Sequence, residues 1–159
     1  SVAKAEWIGP VLNPTRPVNT VTPNIDELAG LLSHPVGTST QEIVAAAAEL
    51  HARGVSNVWV RRGPSGSLLS TWSDEEGTEV HEFAAPQAEV VDVTGAGDSM
   101  SAGYLHAWLA VGDVVEAAHF GQALASLTVE STDTVRADLT PDLVEARVRR
   151  DLPTVPEGA

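Results

Sequence analysis

The run Val90-Val91-Asp92-Val93-Thr94-Gly95-Ala96-Gly97-Asp98 constrains the fold more than any other stretch of the chain. A β-prone run feeds two glycines flanking an alanine, and a helical pattern over Gly97 to Val111 starts directly afterwards. Glycines permit close backbone approach, and the first amides of a helix point outward with the positive end of its dipole behind them. Such a loop is an anion site that needs no lysine or arginine. Asp98 stands at the same helix start. As a mere anchor it would be repelled by bound phosphate, whereas beside a transferring group it can accept the proton of an attacking hydroxyl. The helix end and any bound metal favour its ionised form. A plainer reading stays open on these residues alone, in which Asp98 favours the helix N-terminus and Gly95 and Gly97 make a turn.

Composition narrows the partners. Nine Lys and Arg against 22 Asp and Glu give a net charge of -13 over 159 residues. A nucleic-acid binder must neutralise phosphates with a basic face, so this balance argues against nucleic acid and against an anionic membrane surface. The chain has no cysteine, which excludes disulfides, thiolate catalysis and Cys-based zinc sites, and fits a reducing cytoplasm. No window approaches 18 uninterrupted apolar residues, and Ser1 to Pro10 lack the basic-then-apolar pattern of a signal peptide. Ser1 in place of Met leads to the expectation that the chain was cut from something longer.

Periodicity and turn residues predict the elements around the loop. Val18 to Val21 reads as a strand ended by Thr22-Pro23-Asn24, and Ile25, Leu28, Leu31 and Leu32 recur at helical spacing. Ser39 or Thr40 can cap a helix running to Ala52 and closed by Arg53-Gly54. Val55 to Val60 and Ser67 to Trp72 read as a hairpin around Gly63-Pro64-Ser65-Gly66, with Glu79 to Phe83 as a further strand. In the helix after the loop, Ala102, Leu105, Trp108 and Leu109 form the expected apolar face. Helices over Val114 to Val129 and Pro141 to Arg150 follow, the last with Thr140 as N-cap and Pro141 at its first position. The order is an α/β pattern, with helices crossing a mostly parallel sheet. The expected organisation is one partial domain over residues 1–152 and a flexible tail over 153–159.

Three elements together carry a resemblance. Asp92-Val93-Thr94-Gly95-Ala96-Gly97-Asp98-Ser99-Met100, followed by Ala102-Gly103, resembles the second signature of the ribokinase-like (PfkB) carbohydrate kinases. Val21-Thr22-Pro23-Asn24-Ile25-Asp26-Glu27 resembles that family's Asn-x-x-Glu element, and Val58 to Gly66 its strand and glycine turn beside the nucleotide. Thr22-Pro23-Asn24 and Ala125 to Ser131 are similar to the pseudouridine kinases of that family.

The resemblance implies the carboxy-terminal portion of a three-layer α/β sandwich. It also implies an ATP-dependent transfer of the γ-phosphoryl group to a hydroxyl of a sugar or nucleoside, pseudouridine-like or ribose-like. It makes Asp98 the catalytic base and the amides of Gly95, Ala96 and Gly97 an anion hole. Gly63 and Gly66 would lie along the nucleotide, and Gln122 would approach the adenine or stand as a solvated helix residue. Asn24 and Glu27 would organise Mg2+ through its waters; otherwise they are a helix cap and a surface acid. Asp92 and Thr94 would help hold a monovalent cation such as K+. The loop that should complete that site reads Glu130-Ser131-Thr132-Asp133-Thr134, which departs from the family's usual small and basic residues.

Family members are longer, and their amino-terminal part supplies the first strands, most sugar contacts and a lid through which a full-length homodimer would form. The alternative to an active kinase is therefore a truncated nucleotide-binding fragment, or a half-domain that needs an amino-terminal partner. The remaining candidates are weak. The five histidines show no paired metal spacing, Ser65 does not sit in a Gly-x-Ser-x-Gly elbow, and no Gly-x-x-x-x-Gly-Lys-Ser/Thr loop occurs.

Overall fold

The computed structural model describes residues 1–151, so the expected tail lies outside the described residues. The chain divides into two compact units, Ser1–Ala85 and a second beginning at Pro86.

The first unit holds α1 (Val2–Ile8), β1 (Val18–Val21), α2 (Ile25–Leu32), α3 (Thr40–Ala52), β2 (Val55–Arg61), β3 (Ser67–Ser73) and β4 (Gly77–Phe83). Both central helices start on capping boxes. The Asn24 side chain accepts the Glu27 amide, and the Glu27 carboxylate accepts the Asn24 amide in return; Ser39 and Glu42 repeat the arrangement. Two helices form the crossover from β1 to β2, which is why that pair is parallel. A short 3-10 turn over Gly63–Ser65 and a tight turn before Gly77 join β2, β3 and β4 as antiparallel hairpins.

The sheet is therefore mixed, in the order β1-β2-β3-β4, and not mostly parallel as expected. The chain of hairpins decides this, because connections of so few residues can only return the strand antiparallel. Helix α1 was not anticipated either. Five of its seven residues are apolar, but only Ala5 among them is buried and Trp7 is 81% exposed.

Leu28, Leu31, Ile43 and Leu50 from the helices pack on Val55, Val58, Val60 and Leu68 of the sheet, all of them buried. The polar groups inside this core are paired. Trp59 Nε1 donates to Ser67 Oγ at 2.9 Å. His51 Nδ1 lies 2.7 Å from the Val55 carbonyl and its Nε2 2.9 Å from Ser70 Oγ. A carbonyl can only accept, so Nδ1 carries a proton and the ring ties α3 to two strands. His51 is thus a core histidine.

The second unit holds α4 (Ala96–Val111), α5 (Val114–Thr128) and α6 (Pro141–Asp151). Asp113 caps α5 through the amides of Val115 and Glu116, and Thr140 Oγ1 accepts the Leu143 amide at 3.3 Å to open α6. The buried face of α4 is Met100, Gly103, Tyr104 and Ala107. The expected face is wrong: Leu105 is 50% and Leu109 72% exposed, and Trp108 is half-buried. Small residues explain the difference. A Cβ on Gly103 would stand 3.0 Å from the Gly121 Cα, so α4 and α5 meet backbone to backbone where bulky side chains cannot fit. Val90 and Val91, read as β-prone, form no strand and are exposed, since no described strand lies beside them to pair.

Two glycines with positive φ separate backbone strain from lack of space. Gly66 has φ 83 and ψ -137, and an added Cβ would meet the Phe83 carbonyl oxygen at 1.9 Å. Gly77 has φ 78, with open space where a Cβ would stand. Gly66→Ala should cost about 3 kcal/mol or more in denaturant unfolding, because conformation and clash add. Gly77→Ala should cost roughly 1–2 kcal/mol from conformation alone. Equal losses would show that the space at Gly66 is not filled as described.

Candidate functional site

In the first unit the strand end and the helix start meet. Arg61 donates its amide to the Pro23 carbonyl at 2.9 Å, and Asn24 and Arg61 form an isolated parallel bridge just past β1. Asn24 is the N-cap of α2, with its Oδ1 2.8 Å from the Glu27 amide. Glu27 Oε2 accepts the Asn24 amide at 3.0 Å and the Arg61 guanidinium at 2.7 Å, while Oε1 lies 3.0 Å from the Ser1 amino group. Burial alone would raise the Glu27 carboxyl. The Asn24 amide, the amino group and Arg61 outweigh it and hold the group below the usual glutamate range. Asn24, Asp26, Ser39, Thr40, Arg61 and Gly63 line one open hollow beside this cluster.

The structure thus brings Asn24, Glu27 and Gly63 together, and Gly66 closes the turn that follows, its amide donating to the Gly63 carbonyl at 3.0 Å. Arg61, which sequence reasoning did not single out, is the link between them. Its signal was a charged pair, Arg61-Arg62, at the end of an otherwise apolar strand.

In the second unit the loop from Asp92 to Asp98 is held at both ends. The Val129 carbonyl, at the C-terminus of α5, accepts the Val91 amide at 2.7 Å and the Asp92 amide at 3.2 Å. Asp92 Oδ1 then accepts the Thr94 amide at 2.8 Å. That bond first, with help from the Thr94 hydroxyl and the Val93 amide, keeps the Asp92 carboxyl below its ordinary range. Gly95, the N-cap of α4, sits at φ 81, and a Cβ there would lie 2.7 Å from Thr134 Cγ2 and 2.8 Å from its carbonyl oxygen. Only glycine fits that position.

No side chain caps this helix start. The Ala96 amide donates to the Val93 carbonyl at 3.2 Å, which leaves Gly97 and Asp98 as the amides at the helix start best suited to face an anion. Asp98 lies in the first turn with an exposed side chain. Gln122 is buried in α5, at 8% exposure, and is not a solvated helix residue.

Sequence reasoning also missed what Glu130 does. Its carboxylate accepts Arg147 at 2.7 Å and lies 3.5 Å from Arg136. The Arg147 hydrogen bond is the largest influence on its ionisation; together with the attraction of both arginines and the Glu89 amide it overrides burial and keeps the group below the ordinary glutamate value of 4.5. The only hint was that Glu130 departs from the family pattern.

Among the described residues no group of three or more His, Asp or Glu could hold a metal on its own, and no helix is long and apolar enough to cross a membrane.

The sequence profile described as pfkB family carbohydrate kinase matches residues 10–141. The chain belongs to this family. It is 36% identical over 120 residues to a 1-phosphofructokinase of Haemophilus influenzae, covering 76% of this chain and 37% of that protein. It is 30% identical to the pseudouridine kinase of Escherichia coli over 77% of this chain and 38% of that protein. Among solved structures it matches Arabidopsis thaliana ribokinase complexed with ribose and ATP at 29% identity and a TM-score of 0.68, covering 82% of this chain and 41% of that one. The chain therefore has the ribokinase-like α/β fold, and it spans about two-fifths of the length of these relatives.

Because Glu130 is held ionised by its partners, it contributes stability above about pH 4.5, and that contribution is withdrawn as pH falls through its lowered folded value. Glu130→Gln should cost about 1–2 kcal/mol at pH 7 and flatten the acid limb of the stability curve, read by urea titrations from pH 7 to 3. An unchanged acid limb would mean that the pair adds nothing.

Proposed function

We propose that this chain is the phosphate-handling part of an ATP-dependent kinase that phosphorylates a hydroxyl of a sugar or nucleoside. Family membership makes kinase chemistry the frame. The observation that carries the reading is the uncapped start of α4, where Gly95 is locked in a left-handed conformation and Asp98 stands one turn in. The amides of Gly97 and Asp98 supply positive potential to a transferred phosphoryl group without reorganising. Asp98 accepts the proton of the attacking hydroxyl as the new oxygen–phosphorus bond forms and the bond to the leaving diphosphate breaks. Its exposure in this chain leaves the carboxylate open to an incoming hydroxyl.

Gly63 and Gly66, whose turn presents backbone with no side chains at either end, are suited to lie along the nucleotide. Magnesium, when bound, would neutralise charge on the phosphates. Asn24 and Glu27 fit it only through water. Asn24 Oδ1 is engaged by the helix cap, and three of the four lone-pair positions of Glu27 are taken by Asn24, Arg61 and Ser1. Asp92, already ionised and turned onto Thr94, suits a monovalent cation such as K+. The relatives act on different acceptors, so a panel of sugars, sugar phosphates and nucleosides, pseudouridine among them, is needed to name the substrate.

A second reading is favoured by length. A chain that spans 37% of a full kinase can bind nucleotide without turning over. Asp98→Asn in the full-length protein separates the two. Loss of phosphoryl transfer by about a thousandfold or more, with ATP affinity kept within about threefold, is expected of a base. Transfer near the wild-type rate would remove Asp98 from that role.

A further inference from the structure

We propose that Glu130 is the positioning residue of the glycine loop, joining the two segments that grip it. This rests on the reading of that loop as the phosphate-handling site. Glu130 follows directly on Val129, whose carbonyl receives the Val91 and Asp92 amides at 2.7 and 3.2 Å. The Glu89 amide also favours the ionised Glu130 carboxylate, so the backbone hold on residues 91 and 92 comes from the carbonyl next to that side chain.

On its other side Glu130 is fixed by two guanidiniums. Arg147 bridges from α6, reaching Glu130 at 2.7 Å and Ser126 Oγ at 3.0 Å. Arg136 reaches the Leu127 carbonyl at 3.2 Å and Asp138 at 2.6 Å while it faces Glu130. The segment between Glu130 and Arg136 contains Thr134, the residue packed against Gly95. The Val129 carbonyl thus holds the approach to the loop, while the adjacent Glu130 carboxylate, through Arg136, ties the two ends of the segment that covers it.

The chemistry asks for such a clamp. An acid near an anion site opposes phosphate unless its charge is neutralised, and two arginines neutralise this one. With side-chain exposures of 21% for Glu130 and 10% for Arg147, the pair is shielded enough for loss of one partner to leave the other short of hydrogen bonds. The geometry of residues 89 to 98 then depends on an ion pair outside the loop.

The test is amide hydrogen exchange on Glu130→Gln, with Asp98→Asn as the control. Exchange at Glu89, Val91, Asp92 and Thr94 should accelerate about tenfold while the slowest amides of α5 keep their rates. In the full-length kinase, Glu130→Gln should lower kcat about tenfold with the KM of the acceptor unchanged. The double variant E130Q/R147Q should be no worse than the poorer single one, as expected of groups acting as a pair. Uniform acceleration through the second unit would overturn the proposal, since Glu130 would then be holding the unit and not the loop. Unchanged exchange at 89 to 94 would overturn it equally. If exchange rises locally but Asp98→Asn retains full activity, the clamp stands and the catalytic reading fails. If Asp98→Asn is inactive while Glu130→Gln is unaffected in both readouts, the reverse holds.

Discussion

The left-handed backbone at Gly95 is a constraint on which the rest of the site depends. At φ 81, with Thr134 where a Cβ would stand, the chain can turn sharply enough to begin α4 directly at Ala96. A side chain at that point would displace either the helix start or the segment above it, and the first-turn amides would no longer face one spot. The carbonyl of Val129 works with the same constraint, because it fixes where the approaching chain must stop before it turns. Backbone groups and one glycine conformation therefore set the geometry, while charged side chains act at a distance. On the proposed reading of this loop, a chain of net charge -13 needs no basic side chain to meet a phosphate, because the positive potential comes from amides and a helix dipole.

The first unit shows one set of residues meeting two demands. Asn24 and Glu27 form a capping box, and Glu27 also closes an ion pair with Arg61 at the end of β2. Those contacts hold the start of α2 against the strand end that carries the Gly63 turn. The same contacts use most of the acceptor capacity of Glu27, so any role with a metal passes through ordered water. Stability and ligand chemistry compete here for one carboxylate, and the competition is visible in which lone pairs are left.

Much of this was legible in the sequence because the signals were local. Asn24, Ser39 and Thr140 are caps with their partners three residues on, and the glycines at 63, 66 and 95 mark turns by composition. Strand direction was not local. The hairpins were visible, but their number in a four-stranded sheet was not weighed against the single crossover, so the sheet was expected to be mostly parallel. The core face of α4 was missed because apolar size was read as burial, whereas Gly103 and Ala107 mark the side that meets α5 closely. Glu130 and Arg61 were missed for a related reason. Their roles come from partners 17 and 34 residues away in sequence, and no spacing rule connects them.

The function proposed for this chain requires the backbone between Gly95 and Asp98 to receive the phosphates. The most direct measurement is a two-dimensional amide NMR titration of this chain with ATP and Mg2+, at low and moderate salt. The largest shifts should fall on the amides of Gly97 and Asp98, with smaller ones near Gly63 and Gly66. Saturable shifts confined to other residues, with Gly95 to Asp98 unmoved, would contradict it.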